Sequence, residues 1–199
     1  MTVKPFKVIS KGIKSIKFLD EYRCFKKDTT IFFSNINILV GDQGCGKSTL
    51  IDCLMNFDKL GKEGSIEVDY NVANNFIFFD SEKHNPRIRE NLEERSDMPN
   101  MDMGDILMSR FQSHGETMLT FIEAVKTAKN YYVFIDEPES GLSLRSQYKI
   151  KKALIKASKN NCQLFISTHS PILMGVTKDV LSLEHMKFMI PEDFIETQK

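Results

Sequence analysis

Nine consecutive residues, Gly41-Asp42-Gln43-Gly44-Cys45-Gly46-Lys47-Ser48-Thr49, satisfy the pattern G-x-x-x-x-G-K-[ST]. Glycine at these positions lets backbone N–H groups turn toward phosphate oxygens without a Cβ in the way, and a helix beginning there adds partial positive charge. Lys47 would reach the β- and γ-phosphates of a nucleotide, and the Ser48 hydroxyl would ligate Mg²⁺. At average residue frequencies the pattern arises by chance in about one chain of this length in a hundred. Cys45 reads as a small residue of the loop rather than as a nucleophile.

Two further segments carry matching chemistry. The apolar run Tyr132-Val133-Phe134-Ile135 ends in Asp136-Glu137, placing two carboxylates at the C-terminal end of a buried strand, where ligands sit in open α/β sheets. Asp136 would belong to the Mg²⁺ shell, and Glu137 would accept a proton from, or orient, an attacking water. The second run, Leu164-Phe165-Ile166-Ser167-Thr168, delivers His169, whose ring could contact a γ-phosphate. Taken alone, a histidine after a strand is more often structural.

The elements that must position these groups follow from hydrophobic periodicity. Ile36 to Val40 reads as a strand before the glycine loop and Ser48 to Asn56 as a helix after it. Strands are expected at Phe6 to Ile9, Ile13 to Leu19, Thr30 to Phe33, Ser65 to Tyr70, Tyr131 to Ile135, Leu164 to Ser167 and Val180 to Leu183. Phe76 to Phe79 is continuously apolar, as for a strand covered on both faces. Helices are expected at Glu116 to Lys129 and Leu144 to Ser158. Buried strands alternating with helices predict an α/β domain whose mostly parallel sheet is flanked by helices. An N-terminal antiparallel β region (1–35) and a short helical insert (about 86–112) complete a single domain over 1–199.

Composition narrows the function classes. The 199 residues carry 27 Lys+Arg against 27 Asp+Glu, a formal charge of zero, which argues against a global phosphate-binding field. No apolar run approaches the roughly 20 residues that span a bilayer, so no direct membrane insertion is expected. The four cysteines lack metal-ligand spacing, consistent with a reduced cytoplasmic setting. Locally, residues 1–27 hold eight basic residues against Asp20 and Glu21. That excess is either the solvated face of a small sheet or a docking patch for an acidic partner or nucleic acid.

The order and spacing of the motifs resemble the ABC-type ATPase superfamily, in particular its soluble, non-transporter AAA-family members of the SMC and overcoming-lysogenization-defect types. Gly41 to Thr49 correspond to Walker A, Phe134-Ile135-Asp136-Glu137-Pro138-Glu139-Ser140 to Walker B, Ser140-Gly141-Leu142-Ser143 to the D-loop, and Ser167-Thr168-His169-Ser170-Pro171 to the switch-histidine segment. The resemblance directs attention to Phe111-Gln112-Ser113-His114-Gly115-Glu116, where such proteins carry their signature. Ser113 and the Gly115 backbone would then bind a γ-phosphate in trans, and Ser113-x-x-Glu116 is equally a capping box. The resemblance implies ATP with Mg²⁺, and two ATPs sandwiched between two chains in an ATP-dependent homodimer. Two departures stand out. The glutamine expected after Phe79 is replaced by Asp80-Ser81-Glu82, and the insert is too short for coiled-coil arms. Tyr22, 25 residues before Lys47, is a candidate adenine-stacking residue, although Tyr22 and Phe25 could equally belong to the core.

The leading expectation is Mg-dependent ATP hydrolysis that regulates or drives a separate effector protein, in DNA repair, anti-phage defence or a mobile element. DNA would be reached through that partner or through the basic N-terminal patch. The alternatives are an ATPase subunit of an ABC transporter and an ATP-dependent dimerisation switch with negligible turnover. Glu137 argues against the pure switch, which could dispense with it.

Overall fold

The computed structural model describes residues 1–72, 75–81 and 114–198. Its elements are β1 (Thr2–Val3), β2 (Ile13–Phe18), β3 (Thr30–Phe32), β4 (Ile36–Val40), α1 (Lys47–Met55), α2 (Phe57–Lys62), β5 (Ile66–Tyr70), β6 (Asn75–Asp80) and α3 (His114–Thr127). They continue with β7 (Tyr131–Asp136), α4 (Leu144–Lys159), β8 (Gln163–Ser167), α5 (Pro171–Met174), β9 (Val180–Ser182), β10 (Lys187–Met189) and α6 (Pro191–Thr197). The helical insert expected at 86–112, Ser113, and the segment from Glu82 that would follow the missing glutamine lie outside the described residues.

Two sheets organise the chain. A six-stranded sheet runs in the order β10-β9-β4-β8-β7-β6, with β9, β4, β8, β7 and β6 parallel and only β10 antiparallel. Along its strands the side chains alternate with the two-residue period of extended backbone. Ile38 and Val40, Val133 and Ile135, Leu164 and Ile166 enter one core, where α3, α4, α5 and α6 cover the sheet. Leu39, Phe134 and Phe165 enter a second core against α1 and the smaller sheet. There Phe165 stacks on Phe134 and meets Phe33 edge-on, both at centroid distances of 5.1 Å, which fixes the spacing between the layers.

The smaller sheet has the order β1-β3-β2-β5. It departs from the sequence-based expectation in two ways. Phe6 to Ile9 is not a strand: the Phe6 N–H donates to Asp179 Oδ2 at 2.7 Å and the Ile9 N–H to the Phe33 carbonyl at 2.8 Å, single anchors rather than a ladder. The sheet is not confined to residues 1–35, because β5 crosses back to pair antiparallel with β2. The large sheet is flanked by helices as expected, α1 and the smaller sheet together covering one face and the remaining helices the other. The apolar run of β6 proves to be an edge strand among the described residues, with Phe76, Ile77 and Phe78 half-buried and Phe79 and Asp80 buried. Helices α2 and α6 and strand β10 were not expected. Each is short, and α6 starts at Pro191 with acidic Glu192 and Asp193 in its first turn, a favourable arrangement at a helix N-terminus.

Candidate functional site

The parallel strands deliver their C-terminal ends to one edge. Register pairs Leu39 with Ser167, Ser167 with Asp136, and Asp136 with Asp80. The glycine loop leaves β4 and the histidine segment leaves β8, its immediate neighbour, while the two carboxylates leave β7 on the far side of β8. Backbone bonds knit these exits together: Thr168 N–H donates to the Leu39 carbonyl at 3.1 Å, and Ser81 N–H to the Asp136 carbonyl at 3.2 Å.

In the loop, Gly41, Gly44 and Gly46 adopt φ of 137°, 83° and 106°, conformations that L side chains rarely accept. Gly46 is also closely approached. A Cβ there would stand 2.2 Å from Cys24 Sγ and 3.4 Å from the Phe25 ring. The turn carrying these residues is held by reciprocal Tyr22–Phe25 backbone bonds of 2.9 Å and by stacking of Phe25 on Phe18 at 4.4 Å. Phe25 is thereby a core residue. Tyr22 is half-buried, with the Arg23 guanidinium 5.8 Å from its ring centroid.

Helix α1 begins directly after Gly46, and its first N–H groups receive no side-chain cap. Lys47 is 5% exposed, and its ammonium donates to the Gly41 carbonyl at 2.9 Å and the Asp42 carbonyl at 3.1 Å. Among the described residues no carboxylate pairs with it. A buried cation beside uncapped helix N–H groups is costly without an anion, so the loop suits a phosphate group. Space is available, since nothing lies within 4 Å of a Cβ placed on Gly44. Asp42, Gln43 and Ser48 are exposed, whereas Cys45 and Thr49 are half-buried. Burial pushes the Cys45 thiol up despite the neighbouring Lys47 charge, in keeping with a loop residue that is not a thiolate nucleophile.

At the end of β7, Asp136 Oδ1 accepts a hydrogen bond from the Ser167 hydroxyl. Glu137 then takes φ of 47°, a left-handed conformation that costs a non-glycine residue roughly 1–2 kcal/mol. Its N–H is shared between the Ser167 carbonyl at 3.2 Å and the Ser167 hydroxyl at 3.1 Å, which hold that turn. The turned chain brings Glu137 Oε1 to 3.4 Å from His169 Nε2. Sequence reasoning had assigned both residues, but not their direct approach.

Glu139 was missed as a site residue. Its Oε2 accepts from the Thr168 hydroxyl at 2.7 Å and its Oε1 from the His169 N–H at 2.5 Å. A second tie runs through Gln147 of α4, which accepts from the Ser170 hydroxyl at 2.7 Å and donates to the Leu142 carbonyl at 3.2 Å. The histidine segment is thus fastened to the turn after β7 and to the helix beyond it. The only sequence signal was the repeated acid in Asp136-Glu137-Pro138-Glu139. The backbone of Gly115 and Glu116 lies in the first turn of α3, two residues earlier than the helix start expected at Glu116.

A strand–glycine loop–helix unit with two carboxylates and a histidine on adjacent parallel strands defines a P-loop nucleotide-binding domain. Residues 119–175 match the family model described as "AAA domain, putative AbiEii toxin, Type IV TA system". Among curated proteins the chain is similar to ABC transporter G family members 9 and 21 of Dictyostelium discoideum, with 28% and 27% identity over 170 residues. Those matches cover 67% of this chain and only 12% of either relative's length. Similar solved structures include "an inward-facing conformation of a putative metal-chelate type ABC transporter", with TM-score 0.58 and 18% identity, covering 92% of this chain and 85% of that one. The SMC head domain from Thermotoga maritima has TM-score 0.54 and 15% identity, covering 86% of this chain and 94% of that one. In fold, motif order and these matches the chain is similar to ATPase domains of the ABC type. No helix among the described residues is long and apolar enough to cross a membrane.

Proposed function

We propose that this chain binds ATP with Mg²⁺ and hydrolyses it in a head-to-tail homodimer, using the cycle to drive a separate effector protein in a cytoplasmic setting. The observation that carries the nucleotide assignment is the buried Lys47 ammonium, held among the described residues only by loop carbonyls, beside the uncapped start of α1. Backbone N–H groups of Gly44, Cys45 and Gly46 would cradle phosphate oxygens, with Asp42, Gln43 and Thr49 completing the loop. Lys47 would exchange its loop carbonyls for the β- and γ-phosphates. Ser48 and Asp136 would hold Mg²⁺, which when bound neutralises charge developing on the phosphates. Glu137 would orient the attacking water or take its proton, and the ring of His169 would meet the γ-phosphate. The pre-formed Glu137–His169 approach supports a shared task for these two groups. In the dimer, Ser113, Gly115 and Glu116 would face the nucleotide of the other chain.

The test is phosphate release by purified protein with ATP and Mg²⁺, in parallel with sizing. Wild type is expected to turn over. Lys47→Met should lose nucleotide binding, and Glu137→Gln should bind ATP, lose turnover and accumulate as dimer. Absence of release by wild type, even with DNA or a co-purified partner, would overturn the enzyme reading. A Glu137→Gln protein that stays monomeric in ATP would overturn the dimer. A second reading, the ATPase subunit of a transporter, is favoured by the transporter names among similar proteins. Co-purification with an integral membrane protein would select it.

A further inference from the structure

The opposite, N-terminal edge of the six-stranded sheet carries a cavity of about 1060 Å³. It is lined at the starts of β4 and β8, by Ile36 and Gln163, and just before β7 and β9, by Asn130 and Asp179. Because the strands are parallel, this edge stands a strand length from the glycine loop, roughly 13 Å for the five residues of β4.

Three exposed lysines, Lys7, Lys11 and Lys178, line this groove. Four other lysines of the basic N-terminal region are engaged elsewhere: Lys14 pairs with Asp69, Lys17 with Asp28 and Lys27 with Asp20, while Lys4 lies over the Phe32 ring. Among the described residues no carboxylate forms an ion pair with Lys7, Lys11 or Lys178. The one acid in the lining among the described residues, Asp179, is buried and accepts the Phe6 N–H. The wall mixes aliphatic side chains, Val8, Ile36, Val72 and Val176, with uncharged polar ones such as Asn35 and Asn161, and the exposed Phe6 also lines it.

From this combination we propose that the groove docks an acidic segment of a separate protein, one that inserts branched aliphatic side chains between its carboxylates. The carboxylates meet the three lysines, and the aliphatic side chains meet Val8, Val72 and Val176. A single-stranded nucleic acid fits less well. Stacking platforms require several aromatic faces, whereas among the described residues the lining offers Phe6 alone, and a chain of zero formal charge supplies no extended field to track a phosphate backbone. The inference does not depend on ATP chemistry, so it stands or falls separately from the proposed function.

The experiment is fluorescence anisotropy on the intact chain with a labelled peptide of alternating Glu and Leu or Val. Two comparison probes are a Glu-only peptide and a labelled oligo-dT of matched charge. The alternating peptide is expected to bind best. The triple variant Lys7→Glu, Lys11→Glu, Lys178→Glu should weaken it at least about tenfold. Val176→Asp should weaken the alternating peptide more than the Glu-only one. Glu137→Gln should bind as wild type does. Circular dichroism confirms folding of the variants, whose altered lysines are all exposed. Three results would each overturn the proposal: no peptide binding at about 100 μM, peptide binding unchanged in the triple variant, or oligo-dT binding more tightly than the peptide through the same lysines.

Discussion

Glu139 offers the sharpest test of how the site is held, because one carboxylate grips two consecutive residues of the histidine segment. Glu139→Ala removes both acceptors. Thr168 is fully buried, so its hydroxyl loses its acceptor without access to water, while the N–H of the exposed His169 can be rehydrated. With about 1–3 kcal/mol for an orphaned buried donor and little for the other, the variant should lose about 1–3 kcal/mol of stability. In a domain of this size that lowers the melting temperature by roughly 2–12 °C. The kinetic effect follows from His169 losing its fixed place 3.4 Å from Glu137. A displacement of an ångström costs on the order of a hundredfold, so kcat should fall about ten- to a hundredfold with KM for ATP little changed, since the glycine loop is untouched. Glu139→Gln keeps an acceptor for the His169 N–H and should restore most of kcat. The assays are steady-state phosphate release and thermal melting on all three proteins. If Glu139→Ala melts lower yet keeps wild-type kcat, the grip is merely structural and the positioning argument fails. If both quantities are unchanged, the hydrogen bonds themselves carry no weight.

Other expectations follow from the same geometry. Gly46→Ala should abolish binding of a fluorescent ATP analogue and lower the melting temperature, because its Cβ would collide with Cys24 Sγ at 2.2 Å. Gly44→Ala, which meets only unfavourable φ, should be milder in both measurements. Gln147→Ala cuts the link from Ser170 to the Leu142 carbonyl and should reduce kcat less than Glu139→Ala does, which parallel kinetics would show. Burial pushes the Cys53 thiol from 9.0 up to about 12. The folded state therefore favours the protonated thiol, and its contribution to stability is present below pH 9 and lost progressively as pH rises toward about 12. Melting temperatures measured across that range should fall less steeply in Cys53→Ala.

Much of the candidate site was legible because its chemistry is written in contiguous residues. The glycines of 41–46 announce backbone conformations that other residues resist, and three of them do adopt positive φ. Apolar runs before Gly41, Asp136 and Ser167 marked the buried strands β4, β7 and β8 because a strand covered on both faces admits few polar side chains. The same logic holds for β6, whose Ile77 and Phe79 pack into one core and Phe76 and Phe78 against the other; its place at the edge of the described sheet depends instead on which strand lies beside it. Phe6 to Ile9 also has strand composition, but Asp179 and the Phe33 carbonyl take its backbone donors.

The amino-acid sequence alone determined the loop, the two carboxylates and the histidine, and the order in which parallel strands present them. Each is a local pattern in which residue type constrains backbone or burial directly. Only the tertiary structure decided that Cys24 closes over Gly46, that Glu139 grips Thr168 and His169, and that Lys7, Lys11 and Lys178 line one groove while Lys14, Lys17 and Lys27 are paired. Those contacts join residues distant along the chain, whose meeting depends on how two sheets stack and on which strands become neighbours. A single sequence carries no direct measure of that proximity, so such residues look like ordinary polar or small side chains until the layers bring them together.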